Sequence, residues 1–140
     1  LDRSGLGVAR LLFFPLVNGV YYSSHVVTQI GNENIRPIVE KLEKTYQPGE
    51  RIYVYYGADP AFSYYYRENR DAQVIGTRNR GDMDSYYSEI DAILSQSEPT
   101  WLIFSHCYAD ECKSIPEYFS TQYRVELIER SQGAFLYYVR

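Results

Sequence analysis

The chain has 140 residues and a formal net charge of −4, and 45% of its residues are hydrophobic and 23% charged. This length and balance suit one folded domain and exclude a disordered tail, a collagen-like rod or a disulfide scaffold. The acidic balance also argues against nucleic acid as a partner, because phosphate binding depends on clustered Lys and Arg.

Tyrosine is unusually frequent, with 16 in the chain, and many of them stand in pairs or triples. A tyrosine ring packs while its hydroxyl reaches water, so amphipathic packing explains most of these positions. The alternative is a binding surface, because aromatic side chains are enriched at contacts with proteins and sugars.

The first 32 residues differ in pattern from the rest. Their most apolar stretch, residues 11–17, is interrupted by Pro15, and it is shorter than the roughly 20 apolar residues of a membrane-spanning helix. We therefore expect residues 1–32 to be an apolar arm or the remnant of a membrane-proximal segment, and residues 33–140 to be a single α/β domain. Because the chain begins with Leu1 rather than Met, we also expect a processed product or a fragment of something longer.

A first helix is predicted after Asn34, which can cap it, with Pro37 in the first turn. Its apolar residues recur at spacings of three and four, as on one helical face: Ile35, Ile38, Val39, Leu42 and Tyr46. Residues 51–56, β-branched and aromatic, then predict a strand with apolar groups on both faces.

Asp59 as N-cap and Pro60 as the first helical residue predict a second helix through about residue 69. A short strand is expected at 72–75, followed by a polar loop at 76–82. A third helix should begin at Asp84, with one apolar side formed by Tyr86, Tyr87, Ile90, Ile93 and Leu94.

The continuous apolar run at 101–105 is typical of a central parallel strand. The capping-box spacing of Ser114 and Glu117 predicts a short helix to residue 123, and strands at 124–130 and 134–139 should form a hairpin. This alternation predicts a three-layer α/β fold. Its sheet would be mostly parallel and Rossmann-like, with helices on both faces and a C-terminal antiparallel β-hairpin at the edge.

In such a sheet, ligands bind beyond the carboxyl ends of the central strands. The candidate ligand-binding residues there are Tyr56, Asp59, Ser105, His106 and Tyr108. The two tyrosines are plausible stacking platforms beside the aspartate and the histidine. Structural roles compete with this interpretation, since the aspartate can cap a helix and the histidine can be an ordinary loop residue.

Other signals argue against a cofactor or a metal. The turn at 57–60 lacks the glycines and the Lys-Ser/Thr pair of a phosphate-binding loop. Asp82 and Asp84 could hold a divalent metal, but helix capping explains them better. We therefore expect no cofactor, no metal and no catalytic residue in this chain.

Cys107 and Cys112 lack the paired Cys-x-x-Cys spacing of a structural zinc site. Two alternatives remain: a disulfide in an oxidising compartment, contributing about 2 kcal/mol, or two free thiols. A hydrolase using His106 and Cys107 gains little support, because adjacent side chains diverge on an extended chain.

A family resemblance rests on residues 36–40, 47–62 and 64–65, and its most specific part is the strand, turn and helix at 55–61. Further agreement is found at 101–106, at Asp110-Glu111 and at 133–138. Residues 33–140 resemble the soluble C-terminal domain of bacterial multi-pass membrane glycosyltransferases of the family-39 type, related to protein O-mannosyltransferases. Residues 10–16 are similar to part of the last membrane helix before that domain.

The resemblance implies a non-catalytic accessory domain, because in such enzymes the catalytic acids lie among the membrane helices and the donor is a polyprenyl-phosphate-linked sugar. It also implies a membrane-anchored parent protein with this domain on the extracytoplasmic (periplasmic) side. The implied partners are the membrane portion of the same polypeptide and a glycan or peptide acceptor. The alternative is a free-standing soluble α/β protein that binds a small ligand at the same crevice.

Overall fold

A five-stranded mixed sheet forms the centre of residues 33–140, which are the part of the chain that the computed structural model describes. Within that part, helices and strands alternate along the chain until the last two strands, which follow one another. In chain order they are α1 (Arg36–Thr45), β1 (Arg51–Val54), α2 (Asp59–Tyr65), β2 (Gln73–Ile75), α3 (Met83–Leu94), β3 (Thr100–Ser105), α4 (Glu111–Phe119), β4 (Val125–Ser131) and β5 (Ala134–Val139).

The order of strands across the sheet is β2-β1-β3-β5-β4. Strand β1 pairs in parallel with β2 and β3, over three and four residue pairs. The return strand β5 pairs antiparallel with β3 and β4, over six residue pairs each. Antiparallel pairing therefore predominates.

The predicted mostly parallel, three-layer Rossmann-like sheet is wrong, because the antiparallel pairs made by the hairpin strand β5 outnumber the parallel pairs of β1. The hairpin is therefore not confined to the edge of the sheet, since β5 lies inside it. β5 carries apolar side chains on both faces, such as Leu136 on one and Val139 on the other, and both are buried. A strand that is apolar on both faces is stabilised most by an interior position. β5 accordingly lies between β3 and β4.

The two faces of the sheet carry separate apolar clusters, because successive strand side chains point to opposite faces. Ile52 and Ile103 lie on the face that α1 and α2 cover, whereas Tyr53 and Leu102 lie on the face that α3 and α4 cover. Burying each such side chain contributes about 1.5–3 kcal/mol.

All four predicted helix starts are displaced: the N-cap of α1 is Ile35 rather than Asn34, and α3 begins at Met83 rather than at Asp84. The N-cap of α2 is Ala58 rather than Asp59, and α4 begins at Glu111 rather than after Ser114. The backbone is already helical before Ser114, because the amide of Ser114 donates to the carbonyl of Asp110. Capping by Asp82 is confirmed, since its carboxylate accepts from the amide of Ser85 at 3.1 Å.

The predicted apolar arm or membrane-proximal remnant, residues 1–32, lies outside the described residues. Within residues 33–140, no helix combines the length and the apolar character that crossing a membrane requires.

Candidate functional site at the carboxyl ends of β1 and β3

The carboxyl ends of β1 and β3 lie side by side, and Gly57 is what lets them meet. A Cβ atom at this position would lie 2.6 Å from the carbonyl oxygen of His106 and 3.0 Å from that of Ser105. Any other residue would therefore push the chain after β1 away from the end of β3.

Beneath this edge lies a hydrogen-bonded pair, Tyr55 and Glu111. The Glu111 side chain is buried, one of its oxygens accepts from the Tyr55 hydroxyl, and the other accepts from the amide of Gly81 at 2.7 Å. The Tyr55 hydroxyl in turn accepts from the amide of Tyr108 at 3.2 Å. The pair thus joins four segments: the end of β1, the β2–α3 loop, the β3–α4 loop and the first turn of α4.

Burial keeps the phenols of this edge protonated. It raises the pKa of Tyr55, and the hydrogen bond to Glu111 raises that pKa further. Burial also raises the pKa of Tyr86 to about 12, although its hydroxyl accepts from the amide of Asn79 at 3.1 Å. At neutral pH both groups are uncharged hydrogen-bonding partners.

Above the pair lies an exposed group that we call the Tyr–Arg platform, formed by Tyr56, Arg80 and Tyr108. The Nε of Arg80 donates to the Tyr56 hydroxyl at 2.8 Å. Its guanidinium carbon lies 5.9 Å from the centre of the Tyr56 ring and 5.5 Å from that of Tyr108, within the range of cation–π attraction. The Tyr108 side chain is 48% exposed, so the platform faces solvent.

Tyr56 shows the influence of the arginine. Burial works to raise its pKa, but the neighbouring Tyr55 hydroxyl and the hydrogen bond from Arg80 outweigh burial, and its pKa lies below the ordinary value. Tyr56 therefore differs from the buried Tyr55 and Tyr86, whose pKa values are raised.

Ser105 and His106 form a separate cluster with Glu33. One Glu33 oxygen accepts from the His106 amide at 2.8 Å and from the Ser105 hydroxyl at 3.2 Å. The same oxygen lies 2.6 Å from His106 Nδ1, and the Ser105 hydroxyl lies 2.9 Å from that nitrogen. In a Ser-His-acid triad the serine and the acid contact different ring nitrogens, so this arrangement anchors a loop rather than activating a nucleophile.

Asp59, the fifth predicted residue, is not brought to the platform. Its carboxylate accepts from the Ser63 hydroxyl at 2.7 Å, within α2. The prediction thus divides into three parts: Tyr56 and Tyr108 meet through Arg80, Ser105 and His106 meet through Glu33, and Asp59 contacts its own helix.

The two cysteines form a disulfide, which decides between the two alternatives. Cys107 and Cys112, with Cα atoms 5.6 Å apart, link the β3–α4 loop to the first turn of α4, next to Glu111. Cys107 is therefore no free thiolate, which removes the hydrolase interpretation. Within residues 33–140, no three His, Cys, Asp or Glu residues are grouped as metal ligands would be.

Two concave pockets of the described domain lie away from the platform. One, of about 410 Å³, is lined by residues that include Glu98, Tyr123 and Arg140, and another lies beside Glu50 and Asp71. In the larger one, Glu98 pairs with Arg51 and Arg140 pairs with Glu126. Because these charged side chains of the pocket are already paired within the fold, we place the candidate site at the exposed platform rather than in the pocket.

The residues that sequence reasoning missed are Arg80, Glu111, Tyr55 and Glu33. Arg80 was accessible in principle: β2 is parallel to β1, so the loop after β2 also begins at the carboxyl edge, and that loop carries Arg78 and Arg80. The sequence-based prediction took candidate residues only from the ends of the two central strands, and it therefore omitted this loop.

No protein-family model matches the chain, no curated protein is significantly similar to it, and no solved structure matches it.

Proposed function

We propose that residues 33–140 form a non-catalytic accessory domain of a membrane-bound glycosyltransferase that uses a lipid-linked sugar, and that the Tyr–Arg platform contacts the acceptor. The observation that carries the acceptor role is the platform itself: the Tyr108 ring and the Arg80 guanidinium are exposed at one edge of the sheet, beside the half-buried ring of Tyr56. Aromatic rings with nearby hydrogen-bond donors suit recognition of a saccharide or an extended peptide.

The link to a glycosyltransferase rests on the resemblance described above. Its most specific segment, residues 55–61, runs from the buried Tyr55 through Gly57 into the first turn of α2. That segment contributes Tyr56 to the platform, so the part of the chain that carries the resemblance also carries part of the candidate site.

The disulfide supports an extracytoplasmic position. Disulfides persist in oxidising compartments such as the periplasm and are rare where glutathione and thioredoxin keep thiols reduced. The Cys107–Cys112 bond is therefore what a domain on the outer side of a membrane is expected to have.

Two experiments test this function. The coding sequence upstream of Leu1 is expected to encode several membrane-spanning segments, and a start codon immediately before it would favour a free-standing ligand-binding protein. Acceptor glycans and peptides, titrated into ¹⁵N-labelled protein, are expected to shift the amides of Gly81 and Tyr108. Shifts confined to the Glu50 or Tyr123 pockets would contradict the platform as the acceptor site.

A further inference from the structure

The loop between β2 and α3 places basic side chains at the acceptor edge of an acidic protein. Residues 76–82 include Arg78 and Arg80, while the whole chain carries a formal net charge of −4. In the described residues, neither arginine lies within ion-pairing distance of a carboxylate, and the same holds for Arg36, Arg67, Arg70 and Arg130.

The carboxylates that border this loop are used to hold its backbone. Glu89 accepts from the amide of Thr77, Asp82 accepts from Ser85, and the two oxygens of Glu111 accept from Gly81 and Tyr55. These acids fix the shape of the loop but make no contact that neutralises its arginines.

Arg80 is held in place yet retains most of its hydrogen-bonding capacity. Its Nε–H group is bonded to Tyr56, and Tyr108 lies beside its guanidinium. A guanidinium has five N–H donors, so the four on its terminal nitrogens have no partner within residues 33–140. A planar, pre-oriented set of donors of this kind matches the two oxygens of a carboxylate or a phosphate.

We propose, resting on the acceptor role above, that the platform selects acceptor saccharides that carry an oxyanion, either a carboxylate or a phosphate ester. Arg80 donates to the anionic oxygens while the exposed ring of Tyr108 packs against the sugar. Because the arginine is exposed, salt screens its attraction, and affinity for the anionic sugar falls as ionic strength rises.

The test is a titration of the ¹⁵N-labelled 140-residue chain with three probes: methyl β-glucoside, methyl β-glucuronide and glucose 6-phosphate. At least one anionic probe is expected to shift the Arg80 Nε–H, Gly81 and Tyr108 signals, with affinity at least about tenfold above that for the glucoside. Arg80→Ala should abolish this preference. Arg67→Ala, which removes an exposed arginine beyond the end of α2, should leave it intact, and both variants should keep the wild-type urea midpoint.

The outcomes separate this inference from the proposed function. A response to only one anionic probe supports the inference and identifies the oxyanion. Equal binding of the neutral and anionic sugars at the platform overturns the inference and leaves the acceptor role standing. Failure of all three sugars to bind there overturns the inference, and the acceptor role is then decided by the wider set of glycans and peptides.

Discussion

The phenol of Tyr55, at the end of β1, donates a hydrogen bond to the buried carboxylate of Glu111, in the first turn of α4. The two residues are 56 positions apart in the chain, and through them the amides of Gly81 and Tyr108 are held as well. Both platform loops therefore depend on one carboxylate.

The first prediction concerns that carboxylate. Glu111→Ala leaves the Tyr55 hydroxyl and the Gly81 amide without their acceptor, so the free energy of unfolding should fall by about 3 kcal/mol. Urea denaturation measures this change. Glu117→Ala, on an exposed position of the same helix, is the matched control and should stay within about 0.5 kcal/mol of wild type. Equal effects of the two substitutions would contradict the structural role of Glu111.

The second prediction concerns the disulfide. Replacing both Cys107 and Cys112 by Ala should lower the free energy of unfolding by about 2 kcal/mol, because the unfolded chain loses a constraint. Amide exchange at Tyr108 should accelerate, since its loop is tied to α4 by this bond. Dithiothreitol should reproduce both effects in the wild type and change nothing in the double variant. A wild-type urea midpoint that is insensitive to the reductant would show that the bond is absent or contributes no stability.

The third prediction concerns alkaline pH. The folded state raises the pKa of Tyr86 from the ordinary value of 10 to about 12, chiefly through burial, so it holds this proton more tightly than the unfolded chain does. Stability from this group is complete below pH 10 and is lost as pH rises to 12. Urea midpoints should fall across this range, and Tyr86→Phe should make the fall less steep. A slope that the substitution leaves unchanged would mean that Tyr86 titrates normally.

The same titration distinguishes Tyr56, whose pKa lies below its ordinary value. Absorbance at the tyrosinate wavelength should show its ionisation first, and Tyr56→Phe should remove that earliest step. Tyr64→Phe, at an exposed tyrosine away from the platform, should leave the earliest step in place.

The fourth prediction is that the 140-residue chain transfers no sugar and hydrolyses nothing. Cys107 is held in a disulfide, and the Ser105 hydroxyl and Glu33 both contact the same nitrogen of His106, so residues 33–140 assemble neither a free thiolate nor a triad at this edge. Incubation with a polyprenyl-phosphate sugar and with ester and peptide substrates provides the measurement. Turnover by the chain alone would overturn the accessory role.

The positions of individual helices and strands could be predicted from the sequence much better than the pairing of the strands in the sheet. The apolar run at 101–105 and the turn at 131–133 indicate where β3 and the hairpin lie, because those signals act between neighbours in the chain. Nothing local shows that β5 pairs with β3, since that choice depends on which neighbour best covers Leu136 and Val139. The start of α4 was missed for a similar reason, because the signal at Ser114 and Glu117 is a capping pattern that the helix does not use.

The candidate site, too, could be predicted only where local sequence signals suffice. Tyr56 and Tyr108 could be chosen because each follows a strand that ends at the same edge. Arg80 and Glu111 could not be assigned their partners, because the sequence around each residue is the same whether its side chain contacts water or a residue distant in the chain. Their roles come from contacts across 24 and 56 positions of the chain.

The place of β5 between β3 and β4 also sets an order of assembly during synthesis. β3 leaves the ribosome about 30 residues before its antiparallel neighbour, so one side of it presents unpaired amides and carbonyls until residues 134–139 are made. β4 emerges earlier than β5 but pairs with it, so it must wait for the later strand. A nascent chain that stopped between β4 and β5 would leave β3 with one unpaired edge, the kind of edge at which strands of different chains pair.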